Sequence, residues 1–179
     1  MLFSFTAALY GAQAPSTKAV AKVIGEKYCE GDSDLFTVRL DLDVRVTNDS
    51  GSTVYLRSDM IPYVTRVASD VEAAKRGDYI YEVSGASVLF GGDQKLPDVR
   101  ELTVRPGQTV VSRVAGGLTA RYKPDFRYPQ SVASGHYALQ FVFKPEKDFP
   151  KLAHQSLESL TTEPVAVEIP QNVHAVPCR

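Results

Sequence analysis

The stretch Phe36-Thr-Val-Arg-Leu-Asp-Leu-Asp-Val-Arg-Val-Thr47 decides the fold. Phe36, Val38, Leu40, Leu42, Val44 and Val46 fall on one side of an extended chain. Thr37, Arg39, Asp41, Asp43, Arg45 and Thr47 fall on the other. A period of two is the period of a β-strand; wound as a helix, the same apolar residues would spread around the axis. One face therefore goes into a core and the other into water. Asn48-Asp-Ser-Gly51 follows and reads as a turn, because Asn and Asp tolerate left-handed backbone and Gly supplies positive φ. Residues 53–57, Thr-Val-Tyr-Leu-Arg, then read as a returning strand, so 36–57 is expected to be a β-hairpin.

Working outward, further short strands are expected at 20–29, 61–67, 78–83, 86–90, 100–105, 109–115, 136–143 and 164–169. Pro62 marks an edge or a bend, and Pro106-Gly107 marks a turn. In 136–143, Tyr137, Leu139, Phe141 and Phe143 are expected to face inward. Two short helices fit between strands. Ser69-Asp-Val-Glu72 has the spacing of a capping box, and Gly77 stands where a helix-ending glycine belongs. Phe149, Leu152, Ala153, Leu157 and Leu160 have helical spacing. Many short strands separated by turns predict an all-β fold, an antiparallel sandwich with one or two short helical insertions.

Composition bounds the function. The 179 residues carry 20 Lys+Arg against 21 Asp+Glu, a net charge of -1, and 44% are hydrophobic. A disordered tail, a coiled coil and a collagen-like chain are excluded. With no bulk positive field, a nucleic-acid partner is not expected. No apolar run reaches the length of a membrane-spanning helix, so no span is expected. Residues 1–14 carry no charged side chain and end in Ala12-Gln13-Ala14, which reads as the back half of a secretory signal peptide. The same residues also fit a hydrophobic N-terminal strand. On the first reading, the chain is secreted or periplasmic and 15–179 is one domain. The two cysteines, Cys29 and Cys178, then suggest one disulfide. Free thiols in a reducing compartment are the alternative.

Catalytic signatures are absent: there is no G-x-S-x-G, H-E-x-x-H, C-x-x-C or phosphate-binding loop. His136, His154 and His174 stand far apart in sequence. Asp41 and Asp43 alternate with Arg39 and Arg45, as a solvated face does. Asp32-Ser33-Asp34 lacks the remaining ligands of a calcium loop and reads as a turn. Asn48-Asp49-Ser50 is an N-x-S sequon, of consequence only in a eukaryotic secretory pathway. No metal, cofactor or enzymatic activity is expected. The candidate contact surface is 121–128, within a loop read at 116–135, a length that is uncommon in compact domains. It carries Arg121, Tyr122, Lys123, Phe126, Arg127 and Tyr128, the aromatic and Arg types that recognition surfaces use. The same aromatics can instead fold inward and cap one end of the sandwich.

Three segments resemble bacterial exported immunoglobulin-like β-sandwich domains. Val46-Thr-Asn-Asp-Ser-Gly-Ser-Thr-Val-Tyr-Leu56 is similar to their V-x-N-x-S-x-x-x-V-x-L hairpin. Leu102-Thr-Val-Arg-Pro-Gly-Gln-Thr-Val110 is similar to their L-x-P-G-x-x-V turn, with one residue more before the proline. Ser134-Gly-His-Tyr-Ala-Leu139 is similar to x-G-x-Y-x-L, with Glu163-Pro-Val-Ala-Val167 later. The resemblance implies an immunoglobulin-like sandwich. Domains of this kind serve as adhesion or recognition modules, spacers or proteinase inhibitors, so it implies no single activity. A non-enzymatic exported binding or structural module is expected, with a protein or glycan partner at the cell envelope. The alternative is a proteinase-inhibitor-like domain that presents a loop to a protease.

Overall fold

The computed structural model describes residues 17–32, 34–57, 62–84, 101–125, 128–143 and 160–178. The segment 1–14, the strand expected at 86–90 and the helical spacing over 149–157 lie outside them. The chain is mostly β. Its elements in order are β1 (Thr17–Glu30), β2 (Leu35–Asn48), β3 (Val54–Arg57), β4 (Val64–Ala68), α1 (Val71–Arg76), β5 (Tyr79–Ser84), β6 (Glu101–Val104), β7 (Thr109–Arg121), β8 (Ser131–Val132), β9 (Gly135–Phe143), β10 (Leu160–Thr161) and β11 (Val165–Ile169).

The strands form two main sheets and a ribbon. One sheet runs β1-β2-β7-β8; the other runs β10-β9-β4-β5, with β11 also on β9. The alternation of β2 holds throughout: Phe36, Val38, Leu40, Leu42, Val44 and Val46 are all buried, none above 2% exposure. They pack in one core with Val67, Leu139, Phe141 and Val167 of the other sheet. Dehydrating those side chains is the main stabilising contribution of the strand. Leu139, Phe141 and Phe143 face inward as expected, and Tyr137 packs against the same core. The opposite face of β9 is covered as well, since Ala138 packs with Ala68 and with Ala73 and Ala74 of α1. Between the named strands the pairing is antiparallel except for β7 with β8, which is parallel, and the isolated bridges Ala19–Thr162 and Cys29–Val176 are parallel as well, departures from the all-antiparallel expectation.

The expected 36–57 hairpin does not form. Both edges of β2 are taken, by β1 and by β7, so β3 has no edge of β2 to return to. It pairs instead with β6, Val54 opposite Val104. The pair β3–β6 thus continues the antiparallel pair β2–β7 past a corner at 48–53 and 105–108. Asn48 holds that corner and is fully buried. Its Nδ2 donates to the carbonyls of Ser52 and Val104, both at 2.8 Å, and its Oδ1 accepts from Ser50 N at 2.9 Å. Its backbone donates to Gln108 O at 3.0 Å and accepts from Gly107 N at 2.8 Å. Gly107 supplies the positive φ of the facing turn, at 72°; Gly51 does not have one. With its amide buried and both hydrogens donated, Asn48 is no glycan acceptor in the folded chain.

The helix starts one residue later than the capping-box spacing suggests. Asp70 is the N-cap and accepts from Ala73 N at 2.7 Å, while Ser69 donates to Asp70 Oδ2. Asp presents a carboxylate to the orphan N–H groups, and Ser69 is left as its support. Gly77 ends the helix at φ 83°, as the sequence predicts. Leu160, read as the end of a second helix, lies in β10 instead.

Cys29 and Cys178 lie at bonding distance, S–S 1.94 Å and Cα–Cα 5.2 Å. The C-terminal tail reaches the free edge of β1 here, with Val176 N donating to Tyr28 O and Glu30 N donating to Val176 O.

Candidate functional site

The expected 116–135 loop is shorter than its sequence reading. The strand β7 does not stop at Ala115; it runs through Gly116-Gly117 to Arg121. The glycines are there for clearance. A Cβ on Gly116 would lie 2.6 Å from Phe141 Cε1 and 2.9 Å from Leu42 Cδ1, and one on Gly117 would lie 2.5 Å from Val38 O. The connecting segment is therefore 122–130, followed by β8 beside β7.

This shorter loop is tied at both ends. Arg121 Nη1 donates to Ser131 O at 3.1 Å, and Ser131 Oγ donates to Tyr128 O at 2.9 Å. The Arg121 guanidinium is half-buried and acts as a strut under the loop. At the other end, Tyr122 N donates to Asp34 O at 3.1 Å, and the Lys123 ammonium pairs with Asp34 at 2.8 Å. That hydrogen bond and charge push the Lys123 amine above its ordinary value. Asp34 belongs to the turn read at 32–34, which Leu35 N closes onto Asp32 O at 2.7 Å. The Tyr122 ring rests on Phe36, centroids 4.8 Å apart, yet stays 42% exposed. Tyr128 is 49% exposed. Phe126 and Arg127 lie outside the described residues. The structure thus brings Arg121, Tyr122 and Tyr128 to one loop, with Arg121 beneath it and the two tyrosines outward.

A second feature has no signal in the sequence. An open cleft of about 730 Å³ lies between α1, the start of β1 and the turn after β10. Its floor is a polar network. Tyr79 Oη donates to Gln140 Oε1 at 2.6 Å, Gln140 Nε2 donates to Thr162 O at 3.0 Å, and Arg66 lies over the Tyr79 ring at 5.1 Å. Arg66 and Gln140 come from strands far apart in the chain and meet through the β4–β9 register. Each cation of the cleft already has a carboxylate: Lys18 has Glu163, Arg66 has Glu82, Lys75 has Glu72 and Arg76 has Asp78. The cations of the cleft are thus all neutralised, and Asp49 is the lining carboxylate that makes no ion pair among the described residues.

Asp43 meets Arg113 at a loose 3.4 Å on the solvated face of the sheet. His136 and His174 are exposed, and His154 lies outside the described residues. Among the described residues no group of three or more His, Cys, Asp or Glu is placed to hold a metal ion, and no helix is long and apolar enough to cross a membrane. Comparison with protein-family models, with curated proteins and with solved structures finds no match for this chain.

Proposed function

We propose that this chain is a non-enzymatic recognition domain of the cell envelope. It is exported, closed by Cys29–Cys178 and of immunoglobulin-like sandwich architecture, and it presents the 122–130 loop to a protein or glycan. One observation carries the reading: Tyr122 and Tyr128 remain 42% and 49% exposed on a loop whose two ends are both tied down. Large rings held in place lose little conformational entropy on binding, which is why rigid aromatics dominate contact surfaces. Phe126 and Arg127 stand between them in sequence. The two sheets over a shared core support the sandwich architecture, and the cysteine pair at bonding distance supports an oxidising compartment.

The test has two parts. Mass spectrometry of the mature protein reads the export claim: loss of residues 1–14 and the mass deficit of two hydrogens before reduction are expected. An intact Met1 with two alkylatable thiols overturns it. For the surface, the wild type and a Tyr122→Ala/Tyr128→Ala double variant are compared on a glycan array and on blotted envelope proteins. Binding by the wild type that the variant loses, with an unchanged melt, is expected. Equal binding by both moves the site away from the loop. Stoichiometric inhibition of a protease that the loop variant abolishes replaces this reading with the inhibitor.

A further inference from the structure

The alternation that sends six apolar side chains of β2 into the core sends Thr37, Arg39, Asp41, Asp43, Arg45 and Thr47 outward, and the register says what stands beside them. Arg39 lies opposite Lys27 of β1 on one side and Gly117 of β7 on the other. Asp43 lies between Lys22 and Arg113, and Arg45 between Val20 and Val111. Thr109 and Thr119 of β7 complete the face opposite Thr47 and Thr37. In the cleft and at Lys123 the cations are neutralised one by one. Lys22, Lys27, Arg39 and Arg45 make no ion pair within the described residues. Lys22, Lys27 and Arg45 are exposed, and the Nε of half-buried Arg39 is buried without a hydrogen-bond partner. Two features of this arrangement cost stability in isolation. Lys27 directly opposite Arg39 is a like-charge cross-strand pair, and the Arg39 donor is unsatisfied. Set against Asp41 and Asp43 on the same face, Lys22, Lys27, Arg39, Arg45 and Arg113 leave an excess of positive charge on one sheet face of a chain of net charge -1.

We infer that the outer face of β1-β2-β7 is a docking surface for a linear acidic polysaccharide. This goes beyond the loop reading and stands on different residues. The face is elongated: Thr37 to Thr47 spans roughly 34 Å at the rise of a strand, against a width of roughly 10 Å for three strands. A carboxylate or sulfate placed along it relieves the Lys27–Arg39 repulsion. The threonine hydroxyls meet sugar hydroxyls. No aromatic residue stands on this face in β1, β2 or β7, so there is no platform on which the bases of a single strand stack. A flat sheet face does not enter the major groove of a duplex as a helix or ribbon does. The apolar residues available are Val20 and Val111 beside Arg45 and the exposed Ile24 at the β1 bulge, too few to seat the face in a bilayer, where cationic helices add a broad apolar side.

The test uses the full mature chain and polygalacturonate as probe, with neutral dextran, phosphatidylglycerol-containing vesicles and a DNA duplex run beside it. The variant is K22Q/K27Q/R39Q/R45Q. The control is K75Q/R76Q, which removes positive charge beside the cleft on the other sheet. Expected are retention on polygalacturonate at low salt, none on dextran, and a loss of about tenfold or more in the quadruple variant. The control keeps wild-type affinity. The single variant K27Q keeps the protein folded and raises its urea midpoint, because the like-charge pair is gone, while it weakens polygalacturonate binding. Failure to bind at low salt, an equal loss in the control, or tighter binding to vesicles or duplex than to polygalacturonate overturns the inference. Tyr122→Ala/Tyr128→Ala leaves this binding intact, so failure of the loop reading and failure of this one are told apart.

Discussion

The glycines of β7 give two opposed expectations for one pair of substitutions. If Gly116-Gly117 opened a loop, alanine there would be neutral or would stabilise by about 0.4–1 kcal/mol, through the unfolded chain's lost freedom. In the structure alanine must do the opposite. The Gly116 Cβ would sit 2.6 Å from Phe141 Cε1 and 2.9 Å from Leu42 Cδ1. Both of those side chains are fully buried, so neither swings into solvent to make room. Overpacking of this kind costs about 1–3 kcal/mol. At Gly117 the obstruction is the Val38 carbonyl oxygen at 2.5 Å, which is backbone. Relief there means moving β2 against β7 beside the Arg39–Gly117 pair, so Gly117→Ala belongs at the top of that range or above it. Gly51→Ala is the control, since nothing lies within 4 Å of its Cβ and its φ is not positive. Urea unfolding followed by far-UV circular dichroism and tyrosine fluorescence measures all three. If Gly116→Ala and Gly117→Ala both fall within about 0.5 kcal/mol of wild type, as a surface change would, the packed-strand account is wrong.

Asn48→Ala and Asn48→Asp should each destabilise by about 1–3 kcal/mol for every buried carbonyl left without a donor, Asp at least as much as Ala because a carboxylate then faces Val104 O; a melt unchanged by Asn48→Asp would remove the corner from the account. Closing the chain between Cys29 and Cys178, 149 residues apart, confers about 5 kcal/mol in the ideal chain-entropy limit, so reductant or a C29S/C178S variant should lower the urea midpoint markedly, and identical midpoints would contradict the bridge. Asp70→Ala should destabilise the protein near neutral pH as a lost helix cap. The Ala73 N–H, with Ser69, holds the Asp70 carboxyl below its ordinary value of 3.8, so the cap's contribution is present above that value and fades as pH falls through the lowered one. The stability gap between wild type and Asp70→Ala should therefore close in acid, and a gap that stays constant would mean that the carboxylate is not what caps the helix.

The sequence by itself determined the inward and outward faces of β2 and the core-facing side of β9, because a side-chain period of two is a local property and the core simply accepts it; that α1 covers the other side of β9 it did not show. It determined the helix-ending role of Gly77, where local conformation decides, and the types of residue in the 121–128 segment. What it left open depends on which edges are free. Asn48-Asp-Ser-Gly51 carries hairpin chemistry, yet β1 and β7 already hold both edges of β2, so the chain turned a corner instead. Gly116-Gly117 looks like a break, and only the approach of Phe141 and the Val38 carbonyl shows that it is a packed strand. The face proposed for an acidic polysaccharide was half visible: β2 shows its own Arg39 and Arg45, but Lys22 and Lys27 join them through the register of the neighbouring β1, and Arg113 only through that of β7, far away in the chain. The cleft had no local signature at all. Periodicity is written in neighbours along the chain, while edges, clearances and clusters of charge are set by neighbours across it, and those exist only once the sheets have formed.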